Sequence, residues 1–301
     1  MTVDKVVVVG SLNMDTNLSV PHIPVVGETI IAKGMSLFKG GKGANQAVAI
    51  ARLGGDVEMI GAVGDDDNGR KIISGMKKEK VGTAGLIVKE NTPTGIAIIS
   101  VAENGDNNII VHSGANYQLG KEDIDKNLDL IKAASYCVLQ LEIPLEVVRY
   151  TIDICYKNNV QVILNPAPVV AEIDAEILSK VEYLLPNESE LNIIAGKEVS
   201  EEKMIESCRE IIAKGCQNVI VTLGDKGSLW VTENGYRYFE AMEVNAVDTT
   251  AAGDSFIGAF TYMLAQGKDV IEAIEFATRA AAITVTRKGA QDSLPVLAEV
   301  L

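Results

Sequence analysis

A chain of 301 residues, 47% of them hydrophobic, can bury a full core as one large domain or one domain with a small appendage. Aromatics supply only 5%, so Ala, Val, Ile and Leu must build that core, as in parallel sheets covered by helices. A formal charge of −14 argues against nucleic acid or an anionic membrane as partner, and no run reaches the roughly 18 apolar residues of a bilayer span.

The first residues, Met1 to Lys5, lack a basic leader region and run straight into Val6-Val7-Val8-Val9, so a cytoplasmic protein is expected. From there β-branched runs alternate with helical periodicity. Strands are predicted over 5–9, 57–60, 136–141, 160–164, 181–185, 219–223 and 228–231. Helices are predicted over 44–53, 69–80, 121–133, 145–158, 201–214, 254–266 and 269–286. The first helix carries Ala44, Ala47, Val48 and Ala51 on one face, a narrow stripe suited to close packing. This β-α-β-α order predicts an α/β fold: a doubly wound, mainly parallel sheet flanked by helices, with right-handed crossovers.

Two regions break the alternation. Residues 16–39 hold Pro21, Pro24 and Gly27 between short β-prone pieces and no helix. Residues 94–112 hold two apolar runs, 96–101 and 109–112, around an Asn104-Gly105 turn. Such strands predict a small antiparallel β lid (16–39 and 94–112) apart from a core of 1–15, 40–93 and 113–301. A sheet of this size is marginal unless it packs on something, so it is expected to cover the site and to offer a subunit contact. Cys137, Cys155, Cys208 and Cys216 show no Cys-x-x-Cys spacing and read as buried thiols. His22 and His112 are too few for a His-rich metal site.

Candidate site residues cluster at strand ends and helix starts. Gly10-Ser11-Leu12-Asn13-Met14-Asp15 follows the first strand, at the edge where open α/β sheets bind ligands, and Asn13 and Asp15 alternate toward one side. Gly40-Gly41-Lys42-Gly43-Ala44-Asn45-Gln46 opens a helix. It is no P-loop, because Ser36 stands where glycine is needed, and no dinucleotide fingerprint, because Gln46 stands where Gly or Ala is needed. What remains is a backbone that approaches a ligand closely, with Lys42 and Asn45 as donors. Glu142 closes another strand and points into the same crevice. Taken singly, each of these polar groups also fits a solvated loop.

Further on, Asn187-Glu188-Ser189-Glu190 offers an amide and a carboxylate on one helix face, as Mg²⁺-water ligands or as a plain N-cap with an acidic first turn. Thr222-Leu223-Gly224-Asp225-Lys226-Gly227 is a turn fit for a nucleotide's phosphate tail, or for joining two strands. Val247-Asp248-Thr249-Thr250-Ala251-Ala252-Gly253-Asp254 runs into a helix pattern marked by Phe256, Phe260, Met263 and Leu264. The N–H groups of Ala252, Gly253 and Asp254 would face an anion before that helix. A carboxylate beside a phosphate needs a task, such as accepting a proton. An ordinary helix start, with Asp254 as a dipole partner, fits the same residues.

Together these segments make the chain resemble the ribokinase-like (pfkB) sugar kinases nearly end to end. The resemblance rests on Gly-Gly-Lys-Gly-Ala-Asn-Gln-Ala (40–47), Asn-x-x-Glu (187–190), Thr-Leu-Gly-x-x-Gly (222–227), Asp-Thr-x-Ala-Ala-Gly-Asp (248–254) and Thr-Arg-Lys-Gly-Ala-Gln (286–291). Ala251 departs from the glycine that many members carry there. The resemblance implies ATP-dependent phosphorylation of a small sugar's primary hydroxyl, ribose at its 5-position. Deoxyribose, another sugar, a nucleoside, or a non-catalytic sugar-binding regulator are the alternatives.

It implies Asp254 as base and Ala252, Gly253 and Asp254 as anion hole. It implies sugar contacts at Asn13, Asp15, Gly41, Lys42, Asn45 and Glu142, and ATP contacts at Asn187, Gly253 and Thr222, Leu223, Gly224, Asp225, Lys226 and Gly227. Asn187 and Glu190 would lie near Mg²⁺. A K⁺ site would draw on Asp248, Thr250, Thr284, Arg287, Gly289 and Ser293, several through main-chain carbonyls. A homodimer through the lid is implied as well.

Overall fold

The structure, a computed structural model, describes residues 4–169 and 173–301. Residues 1–3, part of the segment read above for a leader, lie outside the described residues, as do core residues 170–172. The fold begins with β1 (Val6–Val9), four valines buried on both faces. Val7 and Val9 pack into one apolar layer and Val6 and Val8 into the other, the alternation that a pleated strand imposes between two helical layers.

Around β1 lies a nine-stranded sheet, counted among the described residues. On one side are β4 (Val57–Gly64) and β5 (Gly82–Lys89). On the other are β8 (Tyr136–Leu139), β9 (Gln161–Leu164), β10 (Tyr183–Leu184) and β11 (Asn218–Thr222), followed by β12 (Ser228–Thr232) and β13 (Gly235–Phe239). Every pairing from β5 through β11 is parallel, and only β11–β12 and β12–β13 are antiparallel. The chain reverses its direction of travel across the sheet between β1 and β8. The carboxyl ends of these two strands therefore flank a switch-point crevice.

One helical layer includes α1 (Lys42–Arg52), α2 (Asp67–Lys78), α9 (Ala252–Ala265) and α10 (Val270–Val285). The opposite layer includes α3 (Lys121–Lys126), α4 (Leu128–Lys132), α5 (Leu145–Lys157), α6 (Ala175–Leu178), α7 (Glu188–Ala195) and α8 (Met204–Ile212). A short α11 (Leu297–Val300) ends the chain. Helices α1 and α9 touch at a glycine: a Cβ on Gly258 would lie 2.4 Å from Ala49 Cβ and 3.0 Å from Gln46 O. This close approach brings the polar start of α1 against the start of α9.

The remaining strands, β2 (Asn13–Val20), β3 (Gly34–Gly40), β6 (Gly95–Ala102) and β7 (Asn107–His112), form a separate sheet in the order β3-β2-β6-β7. Its β2–β3 and β6–β7 pairs are antiparallel, and β2–β6 is parallel because the core is inserted between them in sequence. The Asn104-Gly105 turn joins β6 to β7 as expected, with Gly105 at φ 91°.

Several elements differ from the sequence reading. The helix expected over 121–133 breaks at Asn127, whose side chain donates to Asp123 O instead of continuing the turn. That over 201–214 opens with a 3-10 turn, Glu201–Lys203. Strands β5 and β13 and helix α6 were not anticipated. The first half of β5, Gly82-Thr83-Ala84-Gly85, is made of small residues that read as a loop, and β13, Gly235-Tyr236-Arg237-Tyr238-Phe239, is a short edge strand that pairs with β12 alone. All four cysteines are buried free thiols, and none of the helices among the described residues is long and apolar enough to cross a membrane.

Candidate active site

The start of α1 is held against the β1–β2 connection by backbone proximity. Gly41 sits at φ 91°, and a Cβ there would meet Asn13 N, Ser11 O and Leu12 Cα within 2.9 Å. Only glycine fits this conformation and this contact. Ala44 N donates to Ser11 O at 2.9 Å, and Lys42 N donates to Glu142 Oε2 at 3.2 Å. Glu142 also accepts from the Ser11 hydroxyl. The loop after β1, the loop after β8 and the N-terminus of α1 thus meet at one point.

Asn13 and Asp15 both lie there, on the first residues of β2, and both are buried. Asn116, on the 3-10 turn Gly114–Gln118, holds Asn13 in place: its Nδ2 donates to Asn13 Oδ1 at 2.8 Å, and its Oδ1 accepts from Leu12 N at 2.9 Å. Burial pushes the Asp15 carboxyl up to about 7, with further upward pressure from the charges of Glu142 and Asp254. Burial pulls the Lys42 ammonium down, but Asp254, Glu142 and Glu190 outweigh it and its pKa ends above the ordinary value. Lys42 is therefore a fixed cation among carboxylates.

Asp254 lies at the first turn of α9, 7% exposed. Its Oδ2 accepts from Asn45 Nδ2 at 2.8 Å and its Oδ1 from Gln46 Nε2 at 2.9 Å. Burial pushes its pKa up, Lys42 and the two amide donors pull it down, and Glu142 pushes it up, for a net rise. Before it, Ala251 adopts a left-handed conformation (φ 61°) as N-cap, which turns the chain into the helix. Ala252, expected to present a free N–H, donates it to Thr249 O at 3.2 Å. Gly253 and Asp254 keep N–H groups with no protein acceptor among the described residues.

Asn187 caps α7 in a reciprocal box: its Oδ1 accepts from Glu190 N, and Glu190 Oε2 accepts from Asn187 N, both at 2.8 Å. The N-cap arrangement is thus present, and Glu190 also faces Lys42 and Asp254 electrostatically. Burial and Asp254 raise its pKa against the pull of the Asn187 N–H and Lys42. A bridge pairs Asn187 with Thr222, so the nearby turn at 222–227 adjoins this cap. That turn is closed by Leu223 N donating to Gly227 O at 2.8 Å.

The two segments proposed to hold a cation do meet. Val247 N and Asp248 N donate to Val285 O at 2.7 and 3.1 Å, and the Asp248 carboxylate accepts from Thr250 N at 2.9 Å and Gly289 N at 3.0 Å. Although burial alone would raise it, these bonds and Lys288 hold the Asp248 carboxyl below its usual range. Some side chains of that set are already engaged: Thr284 Oγ1 with Ser255 and Ala280 O, Ser293 Oγ with Ala290 O, and Arg287 with Glu299 at 2.6 Å. Main-chain oxygens are left as the principal donors.

The sequence reading did not place Gln46, Asn116, Gln140 or Asn165 in the site. Gln46 and Gln140 carry a signal in hindsight, as amides within otherwise apolar, buried segments; Asn116 lies in a 3-10 turn that has none.

A buried carboxylate at a helix mouth, with cation and amides arrayed against it beside a switch-point crevice, is geometry for phosphoryl transfer to a hydroxyl. Comparison with known proteins agrees. The description pfkB family carbohydrate kinase matches residues 3–297. The chain is 38% identical over 300 residues to a ribokinase of Staphylococcus aureus (strain COL), covering 99% of this chain and 98% of that one. It is 40% identical over 291 residues to a deoxyribokinase of Salmonella typhi, covering 96% and 95%. The solved ribokinase of Arabidopsis thaliana complexed with ribose and ATP superposes with a TM-score of 0.91 at 32% identity, covering 99% and 98%. With that geometry and these likenesses along its whole length, the chain belongs to the pfkB family of carbohydrate kinases.

Proposed function

We propose that this protein is an ATP-dependent ribokinase, which transfers the γ-phosphoryl group of ATP to the 5-hydroxyl of D-ribose and yields ribose 5-phosphate and ADP. The observation that carries this reading is the Asp254 carboxylate, buried at the mouth of α9 between Asn45 and Gln46 and surrounded by Lys42, Asp15 and Glu142. Asp254 takes the proton of the 5-hydroxyl as its oxygen bonds to the γ-phosphorus. The bond from that phosphorus to the bridging oxygen breaks, and its electron pair leaves with ADP. A carboxylate whose pKa is raised by burial is a stronger base than a solvated one. The N–H groups of Gly253 and Asp254 face the migrating group, and Ala252 lines the same mouth; fixed donors of this kind supply much of the rate.

Asn13, Asp15, Gly41, Lys42, Asn45 and Glu142 hold the sugar. The buried Asn45 Oδ1 has no partner among the described residues, which suits a hydroxyl donor. Asn187 and the turn at 222–227 hold the nucleotide. Asn187 and Glu190 would steady waters on Mg²⁺, since capping occupies only one oxygen of the Glu190 carboxylate. Mg²⁺ held there would neutralise phosphate charge. A carboxylate held ionised at Asp248, with carbonyls at Thr250, Thr284, Arg287 and Gly289 and the Ser293 hydroxyl, is a hard oxygen set that fits K⁺.

The smaller sheet serves as a lid. Support comes from its wiring: Asn13 and Asp15 begin β2, and β3 ends one residue before Gly41, so movement of the sheet is movement of the sugar contacts. The same sheet leaves Met35, Leu37, Ile98 and Ile110 exposed on one face, suited to a second copy in a homodimer. An ATP-requiring enzyme with four free thiols belongs in the reducing cytoplasm.

The deoxyribokinase relative keeps 2-deoxyribose as the second reading. ADP release, measured by kcat/KM across ribose, 2-deoxyribose, fructose and adenosine, tests the proposal, with phosphorus NMR to locate the product's phosphate. Ribose should give the highest kcat/KM. A higher value for deoxyribose would move the assignment to that sugar, and no ADP release with any of them would overturn it.

A further inference from the structure

Behind Asp254 lies a buried chain of three amides, Gln46, Gln140 and Asn165, of which only Gln46 touches the carboxylate. Asn165 Nδ2 donates to Leu185 O at 3.1 Å, which fixes its Oδ1 toward Gln46. Gln140 Nε2 donates to Gln46 Oε1 at 2.6 Å. The Gln46 Nε2 group then serves Asn165 Oδ1 at 3.3 Å and Asp254 Oδ1 at 2.9 Å. Gln46 and Gln140 have no exposed surface, and Asn165 is 6% exposed.

The order of donors and acceptors allows one orientation. Flipping the Gln46 amide would set its oxygen against the Asp254 carboxylate and Asn165 Oδ1, and its NH₂ against the Gln140 NH₂. Burying amides is costly unless they are paired. Here the cost is not fully offset, because Gln140 Oε1 is buried without a partner among the described residues. That oxygen lies where a Cβ on Gly10 would come within 2.0 Å, so a glycine makes room for it. Packing alone would favour apolar side chains at these positions.

We infer that Gln46 is a positioning residue for the base: its Nε2 donor fixes the plane of the Asp254 carboxylate, and Gln140 and Asn165 lock the Gln46 amide in its donating orientation. The inference rests on the reading of Asp254 as base. A hydrogen bond to the ionised oxygen favours the form that can accept a proton. Lys42 on α1, Glu142 after β8, Asp15 on β2 and Glu190 on α7 also face Asp254, and none of them is bonded to Gln46.

The test compares the parent enzyme with Gln46→Met, Gln140→Met and Asp254→Asn, reading kcat and both KM values across the pH range. Gln46→Met should lower kcat roughly tenfold to a hundredfold, the span of a lost hydrogen bond to a charged group, with both KM values within about threefold. Its acidic limb should move to higher pH. Gln140→Met, which keeps the direct bond but frees the Gln46 amide to flip, should move kcat and the limb the same way by less, and it carries the test if Gln46→Met fails to fold. Parent-like kcat and limb in whichever variants fold, or a rise in sugar KM without loss of kcat, would overturn the inference. Near-normal turnover in Asp254→Asn would instead remove the base reading, so the two failures are distinguishable.

Discussion

Asp15 shows how a single side chain ties function to stability. Burial, Glu142 and Asp254 raise its carboxyl from 3.8 to about 7 in the folded chain. Between those values the folded state keeps a proton that the unfolded state has released. Stability therefore falls as pH rises through this window, and the full cost is present above pH 7. Asp15→Asn removes that cost. Thermal unfolding of the variant should match the parent near pH 4 and exceed it by roughly 2–5 °C at pH 8, while calorimetry should show weakened sugar binding and little change for ATP. Equal losses for both ligands would move Asp15 out of the sugar site. At this scale the sequence was informative where chemistry and position coincide. Asp254, Asn45 and Lys42 stand in segments whose glycines and helix starts announce a ligand. Asn116 and Asn165 were hidden because an amide's role depends on which neighbours three-dimensional packing supplies.

Elements carry those residues to one another. The polar end of α1 reaches Asp254 because Gly258 lets α9 lie against Ala49 and Gln46 O. Gly258→Ala places a methyl group where its carbon would be 2.4 Å from Ala49 Cβ, so the helices must separate. We expect a loss of about 1–3 kcal/mol in stability, typical of overpacking, and a fall in kcat larger than the change in ATP affinity. Denaturant melts and steady-state kinetics check both; parent-like kcat in the Gly258→Ala enzyme would show that helix spacing does not set the base. Helices α1, α9 and α10 were legible from apolar residues at helical spacing, although α1 and α9 are buried on nearly every side. The break at Asn127 was not, since the side chain-to-backbone bond that ends α3 competes with the helix locally and leaves the apolar pattern intact. Strand β5 escaped notice because its glycines and alanine resemble a loop until β4 supplies the ladder beside it.

At the scale of the whole molecule, the alternation of strands and helices prescribed a doubly wound sheet, and its reversal between β1 and β8 puts the crevice where the candidate residues gather. The parallel β2–β6 pair could not be foreseen, because it joins segments separated by the α1–β5 portion of the core. Strand β7 is exposed along its length, and its Ile109, Ile110 and Val111 leave an apolar edge that a solitary molecule would present to water. If a second copy covers this sheet, light scattering should report a dimer, and Ile110→Lys should shift it to monomer at micromolar concentration. A monomeric parent enzyme would refute the assembly and leave the chemistry untouched. The chemistry itself turns on Asp254, and the most direct measurement is turnover of Asp254→Asn alongside calorimetric binding of ATP and sugar. The substitution keeps size and hydrogen bonding but removes the proton acceptor. The account predicts a fall in kcat of roughly 10² or more with ATP affinity largely preserved, while near-normal turnover in the folded variant would contradict it.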